Sequence, residues 1–308
     1  MPVNIKTNLP AKVLLENENI FVMDEARANS QDIRPLELVI LNLMPIKEET
    51  ELELLRMLSN TPLQVKITLL RIASHESKNT CQSHLNEHYL VFDEIKHKKF
   101  DGMIITGAPL EQYEFSEITY YDELVSILEW SKSNVFSTLH ICYGAMFGLN
   151  YHYNIAKIPL QKKLSGVFYH DVIDSKDEIL RGIDDVFLAP HSRHSGIDEL
   201  ALANHKSLVI LAKSDLAGSY LIRSSDRRQV FVLGHPEYSR TTLDNEYKRD
   251  IKNGLDVDIP YNYYKDDNPN NPPKLTWRAH ANCVYINWLN YYVYQTTPFE
   301  LDKLNSIN

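Results

Sequence analysis

Four apolar runs of strand length recur in the first half of this chain, and the spacing between them leaves room for helices. Leu36-Glu-Leu-Val-Ile-Leu-Asn-Leu43, Gln64 to Arg71 and Val135 to Ile141 are three of them, and the fourth opens Asp101-Gly-Met-Ile-Ile-Thr-Gly-Ala-Pro109. Near-continuous apolarity means that both faces of each strand are covered, the mark of a parallel sheet between layers of helices. The intervening segments agree. Glu48 to Leu58 carries Leu52, Leu54, Leu55 and Leu58 on one face, and Tyr121 to Ser131 reads as a second helix. The fold expected is α/β, with helices on both faces of the sheet.

The second half is more mixed. Short β segments are expected at Gly166 to Val172, Leu208 to Lys213, Ser219 to Ile222 and Gln229 to Leu233, then a helix from about Thr241 to Lys252. Residues 256–274, rich in Asn and Pro, read as a long loop, either a lid or a plain surface excursion. The last helix, Trp277 to Thr296, carries Trp288, Tyr291, Tyr292 and Tyr294 and packs on the body or on a second copy, so a homodimer is one expectation. Residues 1–308 are read as a single catalytic domain, with an N-terminal extension over about 1–34 and the 256–296 loop and helix packed on it.

Bulk properties exclude some functions. A formal net charge of −9 argues against nucleic-acid binding, which needs clustered Lys and Arg. No apolar stretch is long enough to span a bilayer, and Met1 to Pro10 lacks the apolar core of a secretion signal, so a cytoplasmic location is expected. The three cysteines, Cys81, Cys142 and Cys283, form no CxxC pair. His191 and His194 have no neighbouring Cys or carboxylate to complete a metal set, so no metal is expected.

Cys142 stands apart from the other cysteines. In His140-Ile-Cys-Tyr-Gly-Ala145 the apolar strand stops and a helix-prone run begins, which pushes the sulfur out at a helix N-terminus where the dipole favours thiolate. The bland alternative is a core cysteine at a strand end. A second strand, Val230 to Leu233, ends in Gly234-His-Pro-Glu237. There His235 could act as base and Glu237 could fix its tautomer, completing a nucleophile–base–orienter triad. A buried histidine satisfied by hydrogen bonds is the competing reading. An oxyanion would need donors, and the backbone N–H groups of Tyr143 and Leu110 are the candidates.

Several longer segments carry a resemblance: Ile40-Leu-Asn-Leu-Met-Pro-Ile-Lys47, Ile105-Thr-Gly-Ala-Pro-Leu-Glu111, Leu188-Ala-Pro-His-Ser-Arg193, Gly234-His-Pro-Glu-Tyr238 and Trp277-Arg-Ala-His-Ala-Asn282. The chain resembles the homoserine O-acyltransferases of the MetA type, which implies a flavodoxin-like, class I glutamine amidotransferase-like fold. The resemblance implies acyl transfer from acetyl-CoA to the hydroxyl of L-homoserine through a Cys142 thioester, with acetyl-CoA as co-substrate and no resident cofactor. It further implies that Lys163, Ser192 and Arg249 bind substrate, that Glu111 selects the acyl donor, and that Lys47 is a weaker candidate for donor contact. Glu111 would repel the second carboxylate of a succinyl group. At ~4 Å and an effective dielectric of about 20 that costs roughly 4 kcal/mol. Tyr143 and Met146 stand where relatives usually carry Trp and Gln. Succinyl transfer, a class I glutaminase and a non-catalytic binding protein are the alternatives.

Overall fold

The computed structural model describes residues 3–6, 8–18, 22–24, 34–75, 77, 79–110, 112–298 and 300–303. Its strands are β1 (Val3–Ile5), β2 (Met23–Asp24), β3 (Leu36–Leu41), β4 (Val65–Arg71), β5 (Tyr89–Val91), β6 (Phe100–Ile105), β7 (Val135–Ile141), β8 (Lys157–Val172), β9 (Val186–Ile197), β10 (Leu208–Ser214), β11 (Gly218–Ser224) and β12 (Gln229–Val232). They form one sheet in the order β2-β1-β4-β3-β6-β7-β12-β11-β10-β8-β9, with β5 beside β4. The helices are α1 (Ala11–Asn17), α2 (Lys47–Leu58), α3 (Gln82–His88), α4 (Phe92–Ile95), α5 (Tyr121–Asn134), α6 (Tyr143–Tyr153), α7 (Glu199–Asn204), α8 (Thr242–Lys252) and α9 (Arg278–Asn287).

The apolar runs of the first half sit at the centre. Every residue of β6 is buried, as are all but one in β3 and β7. Along β7 alternate residues face opposite ways. Ser137 accepts from the indole of Trp288 on one face, while His140 lies against Gly148 of α6 on the other. Helices therefore cover both faces there.

The parallel expectation describes only part of the sheet. β3, β4, β6, β7 and β12 are parallel, but β11, β10, β8 and β9 add on antiparallel to one another. The joins between β10 and β11 and between β11 and β12 are hairpin-length and leave no room for a crossover helix. Strand β8 is also far longer than its apolar stretch. Its first half, Lys157 to Lys163, mixes Ile158, Pro159 and Leu160 with polar residues and shows no strict alternation; pairing with β9 at Lys157–Pro159 and again from Leu164 supplies the strand.

Two terminal regions differ from expectation. Part of the N-terminal extension joins the sheet, since β1 pairs parallel with β4. The final helix changes winding, with α9 passing into a π-helical stretch, Trp288–Tyr294. Trp288 and Tyr292 are buried against the same chain, Tyr292 donating to Asp177 at 2.5 Å. The 256–274 loop is stitched down rather than free: Tyr261 exchanges backbone hydrogen bonds with Ser165 and Val167, and Tyr263 and Tyr264 are buried. Among the described residues no helix is long and apolar enough to cross a membrane.

Candidate active site

Backbone register brings the site together. Val232 of β12 pairs with Ile141 of β7, and Ile105 of β6 pairs with His140, so the three strands end side by side. Cys142, Thr106-Gly107 and Leu233 to His235 therefore emerge at one edge, outside the carboxyl ends of the strands. Cys142 N–H donates to the Val232 carbonyl at 2.7 Å, tying the two key strands at that point. Cys142 itself has φ 48° and ψ −110°. A non-glycine residue in this region costs of order 1–3 kcal/mol, and strain of this kind marks a nucleophile held on a sharp strand-to-helix turn. Gly144 makes the turn possible: a Cβ there would lie 2.7 Å from the Thr106 carbonyl oxygen and 2.8 Å from that of Ile105.

His235 and Glu237 lie side by side just after β12. His235 Nδ1 is 2.7 Å from Glu237 Oε1, and both residues are buried. Tyr238 stacks on the imidazole, with ring centroids 4.1 Å apart. Burial works against charge on His235, but the Cys142 and Glu237 charges and hydrogen bonds to both outweigh it and hold the imidazole well above its usual value. An imidazolium between a thiol and a carboxylate is the charge state that keeps the sulfur nucleophilic. Gly107 packs against both: a Cβ there would be 3.2 Å from His235 Cε1 and 3.4 Å from Cys142 Cβ.

A cavity of about 260 Å³ opens over the thiol, lined by Cys142, His235, Lys163, Ser192, Glu246 and Arg249 among others. The structure thus brings all three candidate substrate residues to the cavity over the sulfur. Lys163 falls in the register break of β8 between Pro159 and Leu164, and Ser192 lies across on β9. None of the three stands alone. Lys163 Nζ is 2.6 Å from Asp250 and 3.7 Å from Glu246, Ser192 donates to Glu246, and Arg249 Nε and Nη2 both donate to Asp250. Burial pushes the Asp250 carboxyl up, but Lys163 and Arg249 outweigh it and hold it below the usual carboxylate range. Glu246 also accepts from Tyr238 at 2.8 Å.

Glu246, Asp250 and Tyr238 are residues that the sequence reading missed. Glu246 and Asp250 are four apart on α8, hence on one helical face with Arg249 beside them. That spacing was a visible signal, but nothing local indicated that the face met a lysine from β8.

A second cavity of about 740 Å³ adjoins the first, sharing Met44, Pro45, Pro109 and Tyr113. Lys47 lines it, with Nζ donating to the carbonyls of Asn42 at 2.6 Å and Met44 at 3.3 Å. Burial lowers its pKa to about 8, with Glu51 opposing and Arg71 adding to the fall. Leu110 lies in this second cavity, and its N–H donates to the Ala108 carbonyl at 2.8 Å. The Leu110 N–H is therefore closed into a turn and not offered to the thiol, a correction to the sequence expectation. Pro109 forces this tight turn. The N–H groups of Gly107 and Ala108 carry no hydrogen bond among the described residues, and Ala108 lines the thiol cavity. Tyr143, the other candidate donor, opens α6 directly after Cys142. Glu111 lies outside the described residues.

Residues 2–299 match the homoserine O-succinyltransferase family. The chain belongs to that family. The homoserine O-acetyltransferase of Lachnospira eligens is 56% identical over 98% of this chain and 98% of its own length. One from Geobacillus kaustophilus is 57% identical over 97% of this chain and 99% of its own. Among solved structures, a glutamine amidotransferase from Thermotoga maritima superposes with a TM-score of 0.53 at 10% identity, covering 85% of this chain and all of that one. That likeness bears on the fold alone, which is class I glutamine amidotransferase-like as the family resemblance implied.

Proposed function

We propose that this chain transfers an acetyl group from acetyl-CoA to the hydroxyl of L-homoserine through a Cys142 thioester, giving O-acetyl-L-homoserine for methionine biosynthesis. The observation that carries this reading is one cavity lined by Cys142 and His235, the latter hydrogen-bonded to Glu237 behind it, beside a paired array of Glu246, Asp250, Lys163 and Arg249. The thiolate attacks the acetyl carbonyl, and the CoA sulfur leaves with a proton from His235. Homoserine's hydroxyl then gives its proton to His235 and attacks the thioester, restoring the Cys142 sulfur. Glu237 holds the ring and balances its charge. Backbone N–H groups of Tyr143 and of the Gly107–Ala108 turn face the two tetrahedral intermediates.

A homoserine zwitterion suits the charge array. Its carboxylate would pair with Arg249, its ammonium with Glu246, and Ser192 and Lys163 hold Glu246 in place for that contact. The adjoining cavity around Lys47 takes the acyl donor, and Glu111 disfavours a succinyl group by repulsion. The relatives' names favour the acetyl donor, whereas the family's name is that of the succinyl reaction. Product analysis with L-homoserine and either acetyl-CoA or succinyl-CoA tests the reading. O-Acetylhomoserine as the main product supports it. O-Succinylhomoserine overturns the donor, and ammonia from glutamine with neither ester formed overturns the reaction.

A further inference from the structure

A further cavity lies apart from the one over the thiol. It has a volume of about 890 Å³ and lies between α2, the segment after Glu237 and α9, sharing no lining residue with the thiol cavity. Three arginines line it: Arg56, Arg240 and Arg278. Glu18, Glu49 and Glu53 line it too, but among the described residues only Glu18 pairs with one of the arginines.

The donors of these arginines can be accounted for individually. Arg56 is 8% exposed; its Nε and Nη2 hold Glu18 at 2.6 and 2.7 Å, but its buried Nη1 has no partner among the described residues. Arg278 makes no side-chain hydrogen bond or ion pair among the described residues. Burial and the Arg56 charge, then Arg240, push its pKa down against Glu18. Among the described residues the Arg240 side chain has only a 3.5 Å contact with the Pro273 carbonyl. The cavity's buried carboxylate does not answer these cations. Glu53 accepts from Ser239 N–H at 2.9 Å and Thr242 Oγ1 at 2.5 Å. A buried guanidinium nitrogen without an acceptor costs free energy unless something supplies one. Arg278 and Asn282, from the Trp-Arg-Ala-His-Ala-Asn segment that the reaction leaves unused, are both on this wall.

We propose that this cavity is a second ligand site, separate from both substrates, that takes a small polyanion, either a phosphate ester or a polycarboxylate. Arg56 Nη1 meets the anion at the floor, and Arg240 and Arg278 close on it from the exposed rim. A bound anion lies against Glu53 and the Ser239–Thr242 turn, the segment that joins the triad carboxylate to α8.

Isothermal titration of the full chain in phosphate-free buffer, with inorganic phosphate and separately with citrate, tests this. The expected result is one saturable site for at least one of the two anions, retained in Cys142→Ala and in Arg249→Gln. Arg278→Gln should weaken it about tenfold, the loss of one charge-assisted contact, and Arg240→Gln/Arg278→Gln more. Phosphate alone binding assigns a phosphorylated ligand, and citrate alone a polycarboxylate. Three results overturn the proposal: no saturable binding of either anion, binding indifferent to the double substitution in a variant that melts normally, or displacement by CoA. The readout is binding, so its failure is distinct from a failure of acetyl transfer.

Discussion

The two walls of the thiol cavity are built by different means. On the β6–β7–β12 side, parallel strands end in register and the backbone does the positioning: Cys142 is held at φ 48° by a turn in which Gly144 leaves no room for a side chain. On the β8–β9–α8 side, position comes from side-chain charge. Lys163, Glu246, Arg249 and Asp250 arrive from two distant elements and fix one another by ion pairs. The turn that carries Cys142 is thus fixed by backbone geometry and packing. The β8–β9–α8 side, by contrast, is organised by paired charges, which a charged ligand can re-pair.

The substitutions that sharpen this contrast run from chemistry to fine tuning. His235→Asn should lower kcat roughly 10⁴-fold or more while leaving the homoserine KM nearly unchanged, as steady-state kinetics would show. A matching rise in KM would mean that the two walls are not separable. Glu246→Gln should do the reverse, raising the homoserine KM about 10- to 100-fold with a smaller change in kcat. Kinetics with homoserine as the varied substrate checks it.

Gly144→Ala strikes the backbone wall. Its Cβ would sit under 3 Å from two carbonyl oxygens, so denaturant unfolding should report a loss of about 1–3 kcal/mol. An unchanged midpoint would show that the turn yields more readily than its geometry suggests.

The last effect is a pH slope. Burial raises the Glu53 pKa from 4.5 to about 7, with Glu237 adding to the rise and Thr242, Ser239 and His235 opposing. The folded state thus holds a proton that the unfolded chain has already released. The stability contributed by the neutral carboxyl is complete below pH 4.5 and is lost as pH rises through about 7. Glu53→Gln stays neutral, so its stability relative to the parent should improve over that window, by about 3 kcal/mol in urea titrations. Stability of Glu53→Gln relative to the parent that stays flat or falls as pH rises would contradict the assignment.

The same division explains what was legible in the sequence. The Cys142 and His235 turns were readable because strand, turn and helix signals are local and Gly144 and Pro236 mark the bends. The fold class followed from apolar runs of strand length, yet the antiparallel half was not foreseen. Its strands β8 and β9 are stabilised by each other, and the mixed Lys157–Lys163 segment carries no strict alternation that announces a strand. Lys163, Ser192 and Arg249 came only from family resemblance. Their partners Glu246 and Asp250 went unnoticed because ion pairs spanning 83 and 87 residues leave no local trace. The Leu110 donor failed for a conformational reason: the turn at Pro109 consumes its N–H internally.

The central claim is that Cys142 carries the acyl group. Intact-protein mass spectrometry after brief exposure to acetyl-CoA, without homoserine, tests it most directly. The account expects an acetyl-sized mass increase that is absent in Cys142→Ala and is discharged on adding homoserine. No adduct on the parent chain while acetyl transfer to homoserine proceeds, or an adduct that persists in Cys142→Ala, would contradict it.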